Sequence, residues 1–384
     1  MERAAFLAHA LLVERNDFMK RMIGLVIGVA LVLAAVFYPI DQYYIQKPGA
    51  AHPLRPIVEV EGSTAEEKGE FYLMTIGVMQ ATPFTYLLSH LTSDMKRVKA
   101  EQIRSDEESD EEYMMRQSLL MKESKETAIR VAFEQLNQPY ELLYEGDLVV
   151  AIVENSAADG VLQVGDEIVG IHGERLTTED SLKKGLNYVI EGEPYTVTVK
   201  RDGKEMNVEL VGKKLPNEDR IGLGVRYMKK ETLQTEPNVH IDSSTIGGPS
   251  AGLMFTLEVM NQLTEYDMTK GYKVAGTGQI FEDGTVGPIG GVDFKVLSAD
   301  REGVDIFFAP HDEEIENAHV KGERKLTNYE VAQKVAEELG TSMKVVPVAH
   351  VKDALHYLEQ LPMKEKSVAL HSPVESFGNF LEYL

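Results

Sequence analysis

Residues 22–40 form a run of nineteen positions without a charged side chain. At about 1.5 Å per residue, a helix of that length crosses a hydrocarbon core of roughly 30 Å. A transmembrane helix is therefore expected at 22–40. The rest of the chain alternates short apolar runs with polar turns. Residues 42–56, with Lys47-Pro48-Gly49, Pro53 and Pro56, read as a linker. Residues 57–60 and 71–78 read as the strands of a hairpin, 84–91 as a short apolar helix and 113–136 as a longer one. Strands are expected at 148–153, 195–200 and 206–211, a turn, a strand and a hairpin over 164–176, and an amphipathic helix at 181–190. Beyond these, 221–227, 238–242, 304–309 and 344–348 read as strands. Residues 253–263, 328–338 and 351–361 read as helices, and the polar tail after 362 as loose. The fold class is multidomain: an N-terminal transmembrane helix, an α+β unit, and an α/β unit in which strands and helices alternate.

Charge orients this arrangement. Arg15, Lys20 and Arg21 precede the apolar run and Asp41 follows it, which places the N-terminus in the cytoplasm and the remainder outside. A cleaved signal peptide is the alternative, but the run is long for one and no Ala-x-Ala site follows Pro39. The net charge of −23 disfavours nucleic acid as a partner, because phosphate binding wants a basic surface. The chain has no cysteine, so it carries no disulfide, thiol nucleophile or Cys-based zinc site. The acidic run 105–112 lacks the alternation and central Gly of a calcium loop and reads as a solvated helix start. No cofactor or metal is expected.

The candidate chemistry lies in Gly247-Gly248-Pro249-Ser250-Ala251-Gly252, directly before the helix-like run 253–263. A serine at a helix N-terminus sits beside free N–H groups that favour an anion. That is the setting in which acyl-transfer enzymes hold an oxyanion. Alone, the stretch equally suits a Gly/Pro/Ser turn capping a core helix. Gly276-Thr277-Gly278 and Pro288-Ile289-Gly290-Gly291-Val292-Asp293-Phe294-Lys295 follow. Lys295 opens another helical run. It reads either as a solvated surface lysine or as a buried, neutral amine able to take a serine proton. His240 and Asp242 lie upstream of Ser250, but two residues apart on one strand they share a face, whereas a triad needs His between Asp and Ser.

These three blocks, in order and spacing, resemble the proteolytic domain of Lon-type serine proteases from about residue 215 to 362. The resemblance implies Ser250 as nucleophile, Lys295 as general base and Thr277 as the hydroxyl that holds the amine, with Gly248 and Ala251 in support. Some members carry an acidic residue where this chain has Gly247, and many a Glu where it has Gln279. Upstream, Ser156-Ala157 with Gly160-Val161-Leu162, then Gly165-Asp166 and Ile168, resembles a PDZ domain, a module that adds an extended peptide to a sheet edge. A structural domain without a ligand is the plainer alternative. The carboxylate-binding loop is expected before the 148–153 strand, but residues 140–146 hold no Gly-Leu-Gly-Phe run, so the peptide site stays unassigned.

The expected layout is a cytoplasmic 1–21, a membrane helix 22–40, a linker, hairpin and helical segment 41–126, a PDZ domain 127–214 and a Lon-type domain 215–384. No Gly-x-x-x-x-Gly-Lys-Ser/Thr phosphate loop occurs in the chain, so no nucleotide-driven motor is expected. The reading is an ATP-independent serine endopeptidase acting on flexible or unfolded secreted peptides and on membrane or extracytoplasmic proteins. Its partners are those substrates and, through the helix, the membrane; the resemblance leaves a homo-oligomer open. The order of anchor, PDZ-like and Lon-like parts resembles a Gram-positive group that processes secreted signalling peptides and membrane proteins. The alternative is a catalytically silent, membrane-tethered peptide-binding module.

Overall fold

The computed structural model describes residues 19–365 apart from 31, 35, 65–67, 105–107, 109, 217–218, 244–245 and 312–325. Most of 1–21, part of the acidic run 105–112 and the tail from 366 thus lie outside the described residues. In chain order the elements are β1 (Ile40–Pro53), β2 (Val58–Val60), β3 (Glu70–Ala81), α1 (Pro83–Leu88), β4 (Lys96–Lys99), α2 (Asp110–Gln135), β5 (Tyr140–Ile152), β6 (Glu167–Ile171) and β7 (Glu174–Arg175). There follow α3 (Glu179–Leu186), β8 (Pro194–Arg201), β9 (Lys204–Val211), β10 (Val225–Thr235), β11 (Val239–Ile241), α4 (Gly252–Leu263), β12 (Lys273–Gly276), β13 (Gln279–Ile280) and β14 (Val286–Gly287). The last are α5 (Val292–Glu302), β15 (Ile306–Pro310), α6 (Asn328–Leu339), β16 (Lys344–Val348) and α7 (Val351–Gln360).

Ahead of β1, residues 19–30, 32–34 and 36–37 are helical. Among the described residues no helix is long and apolar enough to cross a membrane. Ile40 already pairs with Ala81 as the first residue of β1. The expected 22–40 helix is therefore corrected: it does not reach residue 40, because the backbone turns extended after Phe37.

The chain divides into two compact units, Met1–Ala132 with His240–Leu384, and Phe133–Val239. The first contains a six-stranded sheet in the order β16-β15-β12-β3-β1-β4. β3, β12, β15 and β16 run parallel, and β1 is antiparallel to both β3 and β4. The first unit thus draws half its sheet from residues before position 100, where a linker and a hairpin were expected. The expected 57–78 hairpin does not form: β2 pairs with β11, and β3 lies between β1 and β12. The reason is legible in Phe71-Tyr72-Leu73-Met74, all four buried. A run buried on both faces belongs inside a sheet, not on a half-exposed hairpin. β1 passes through the expected linker by a register shift between Pro48 and Ala51, the kind of irregularity at which a strand tolerates proline and glycine.

The second unit is a sheet in the order β10-β5-β6-β8-β9 with α3 against it. Val149, Ile168, Leu182, Val197, Val199 and Leu210 form part of its core. The Gly165-Asp166 turn is pinned there: Arg201 Nε and Nη2 donate to the Asp166 carboxylate at 2.6 and 2.7 Å. Burial pushes that carboxyl up, but the guanidinium and the Gln163 N–H hold it below its ordinary value. One boundary moves. Residues 221–227 were expected to open the last domain, yet β10 pairs along its length with β5.

Candidate active site

α4 is buried all round, its polar Thr256, Glu258, Asn261 and Gln262 included, and Leu253, Met254, Phe255, Leu257 and Val259 are fully buried. Each such side chain contributes about 1.5–3 kcal/mol through burial, so the helix is firmly seated. A single 3₁₀ turn, Pro249–Ala251, leads into it and carries Ser250. Gly248 adopts φ +86°, a left-handed backbone that favours glycine. A Cβ there would come within 2.9 Å of Gln117 Oε1 on α2. The Gly248 N–H donates to the Gln117 carbonyl at 3.0 Å, and Ser124 Oγ, also on α2, donates to the Pro249 carbonyl at 3.0 Å. Gly248 therefore supports the serine by shaping the turn, and its N–H is engaged by α2.

Thr277 follows the C-terminal end of β12, where sites in open parallel sheets form. Lys295 sits in the first turn of α5, brought back over the sheet after β13 and β14. The three side chains meet. Lys295 Nζ is 2.9 Å from Ser250 Oγ and 2.7 Å from Thr277 Oγ1, and Thr277 Oγ1 donates to the Ser250 carbonyl at 3.1 Å. Thr277 is fully buried and Lys295 is 2% exposed. Burial pulls the Lys295 amine down to about 7. Positions 247 and 279 hold glycine and glutamine, so neither supplies a carboxylate that would restore the charged form.

The hydrogen pattern follows from the donors available. The Thr277 hydroxyl gives its one proton to the Ser250 carbonyl, so its oxygen accepts from Lys295. A neutral Lys295 then has its lone pair left for Ser250 Oγ–H. Ala251 lies buried beside the serine at the head of the helix. His240 and Asp242 are exposed on either side of the buried Ile241, sharing a face of β11 as expected.

A second concavity, of about 420 Å³, lies within the other unit. Leu182, Lys183 and Leu186 of α3 form one side, and residues 215–216 and 220–225 with Tyr227 the other. Gly222, Leu223 and Gly224, just ahead of β10, line this concavity. Gly224 has φ +76°, and a Cβ there would lie 2.0 Å from Ser156 Cβ.

Comparison with known proteins finds matches over both regions. Residues 225–358 match the family described as the Lon protease C-terminal proteolytic domain, and residues 127–211 the PDZ domain. A Lon protease of Elusimicrobium minutum is 30% identical over 134 residues, 34% of this chain and 14% of that protein. A Lon protease of Ureaplasma parvum is 31% identical over 158 residues, 36% of this chain and 20% of that protein. The chain thus spans a fifth or less of the length of these two relatives. The PDZ domain of an SdrC-like protein from Listeria monocytogenes is 19% identical, with a TM-score of 0.21, and covers 22% of this chain and 88% of that one. By these matches residues 225–358 are similar to Lon C-terminal proteolytic domains, and residues 127–211 to PDZ domains.

Proposed function

We propose that this protein is a serine endopeptidase that works without nucleotide hydrolysis, on unfolded or flexible segments of secreted, membrane or extracytoplasmic proteins. The observation that carries the reading is the 2.9 Å approach of Ser250 Oγ to a buried Lys295 amine. Ser250 Oγ attacks the scissile carbonyl while neutral Lys295 takes its proton. The Ser250 and Ala251 N–H groups, at the head of the turn, stabilise the oxyanion, a contribution of about 3 kcal/mol per donor in such sites. Lys295 then returns a proton to the leaving amine, and water repeats the attack on the acyl-enzyme. Lacking a phosphate loop, the chain has no means of pulling a folded substrate apart. The groove beside α3 recruits or gates substrates by adding an extended peptide along β10.

The uncharged run 22–40, with basic residues ahead of it, supports a membrane anchor with the proteolytic unit outside. In the helical residues before β1, Ile23, Leu25, Val26, Val29 and Val32 are all exposed, which suits a lipid surrounding. A catalytically silent tethered module is the competing function, and the complete Ser250–Lys295–Thr277 set argues against it. The test is to treat the full chain with a fluorophosphonate probe and, separately, with an unstructured peptide in the absence of ATP. The expected result is an adduct on Ser250 and hydrolysis. Peptide binding with neither adduct nor turnover would establish the silent module instead.

A further inference from the structure

The ends of β1 and β3 meet, with Ile40 opposite Ala81 and Tyr44 opposite Gln80. Directly ahead of that corner is the uncharged run, and directly after it is α1. The two touch, since the Phe37 and Phe84 rings lie 5.8 Å apart. α1 is inverted for an aqueous surface. Phe84, Leu87 and the following Leu91 are 49%, 66% and 83% exposed, and Tyr38 is 71% exposed beside them. Large contiguous apolar surfaces of this kind mark a site of contact. Behind them stands an aromatic and basic layer: Tyr43 packs on Tyr86 at 5.3 Å, and the Arg97 guanidinium lies 5.1 Å from the Tyr86 ring centre. Exposed apolar residues beside aromatic rings and a cation are the combination with which a protein meets acyl chains and headgroups.

We propose that α1 and the turn to Leu91 rest on the lipid surface, as a second contact of the proteolytic unit with the bilayer. The inference rests on the anchoring proposed above. Lipid is the occupant because the patch touches the apolar run through the Phe37–Phe84 contact, at the corner of the sheet where that run enters the fold. With two contacts the unit is seated on the membrane rather than free to swing on a tether.

The chain has no cysteine, so single labels are clean. The full chain is reconstituted in phosphatidylcholine–phosphatidylglycerol vesicles with an environment-sensitive fluorophore on Leu87→Cys, Leu91→Cys, Val29→Cys or Lys334→Cys. Lys334, exposed on α6, is the reference. Nitroxides on the lipid headgroup or acyl chain serve as quenchers, and iodide reports water. The expected result is quenching by lipid nitroxide several-fold stronger at positions 87 and 91 than at 334. Quenching at 87 and 91 no stronger than at 334 overturns the docking. So does shielding of both positions from nitroxide and iodide alike, which assigns the patch to a protein partner such as a second copy. The label at position 29 separately decides the anchor: quenched at 29 but not at 87 or 91, the anchor stands and the docking falls.

Discussion

The two concave sites are built on opposite principles. The Ser250–Thr277–Lys295 cluster is assembled from three sequence-distant residues, with its threonine and lysine sealed from water and little charge nearby. The groove beside α3 is open, lined by leucines and carries the cations Lys183 and Arg220 at its walls. The contrast teaches that proton transfer needs one amine held neutral at one distance, which only a packed core provides. Recognition of an extended chain needs a surface that many sequences can lie on.

The comparison breaks most readily at the serine. Ser250→Ala should lower hydrolysis of an unstructured peptide by at least about 1,000-fold while leaving peptide binding by the groove unchanged, measured by turnover and fluorescence anisotropy. Loss of both together would mean the sites are not separable. Next in size is pH. Below the Lys295 midpoint of about 7, kcat/KM should fall about tenfold per pH unit, and above it the profile should level until another group titrates. The same burial affects stability. The folded value lies below the unfolded value of 10.5, so the unfolded chain binds more protons between about pH 7 and 10.5, and stability rises across that window. Lys295→Met should therefore stabilise the protein most at pH 6 and progressively less toward pH 10, read by thermal unfolding. A gain that does not vary with pH would refute the neutral-amine account.

Smaller effects sharpen the contrast. Thr277→Val, which removes the acceptor held by the amine, should cost about tenfold in kcat, and Thr277→Ser should recover most of it, since one hydrogen bond contributes about 1 kcal/mol net. Smallest is Lys183→Glu. It should weaken groove binding of a peptide ending in an apolar residue by about three- to tenfold and leave hydrolysis of a short peptide unchanged. A change in that hydrolysis would tie the groove to the chemistry itself.

The site was more legible in the sequence than the architecture around it. Ser250, Thr277 and Lys295 each stand in a glycine-marked block, and backbone constraints at such blocks leave a pattern that survives without coordinates. The parallel pairing of β3 with β12 leaves none, because nothing local links Phe71 to Val274. Only the burial of Phe71-Tyr72-Leu73-Met74 on both faces hinted that these residues were interior. Pro48 and Gly49 looked like linker residues because their composition is the same in a bulged strand. Gly222-Leu223-Gly224 was misplaced because a short apolar run says nothing about which sheet it joins.

The sheet of the proteolytic unit is interrupted by an entire inserted unit, and this bears on the order of folding during synthesis. β1 and β3 leave the ribosome long before β12, while residues 133–239 form a compact unit of their own. The inserted unit is thus made in between, with the β12 edge of β3 at Phe71 and Leu73 waiting for a strand some two hundred residues downstream. Such a delay exposes a sticky strand to other nascent chains, so shielding β3 until β12 arrives would be the step where a chaperone matters most.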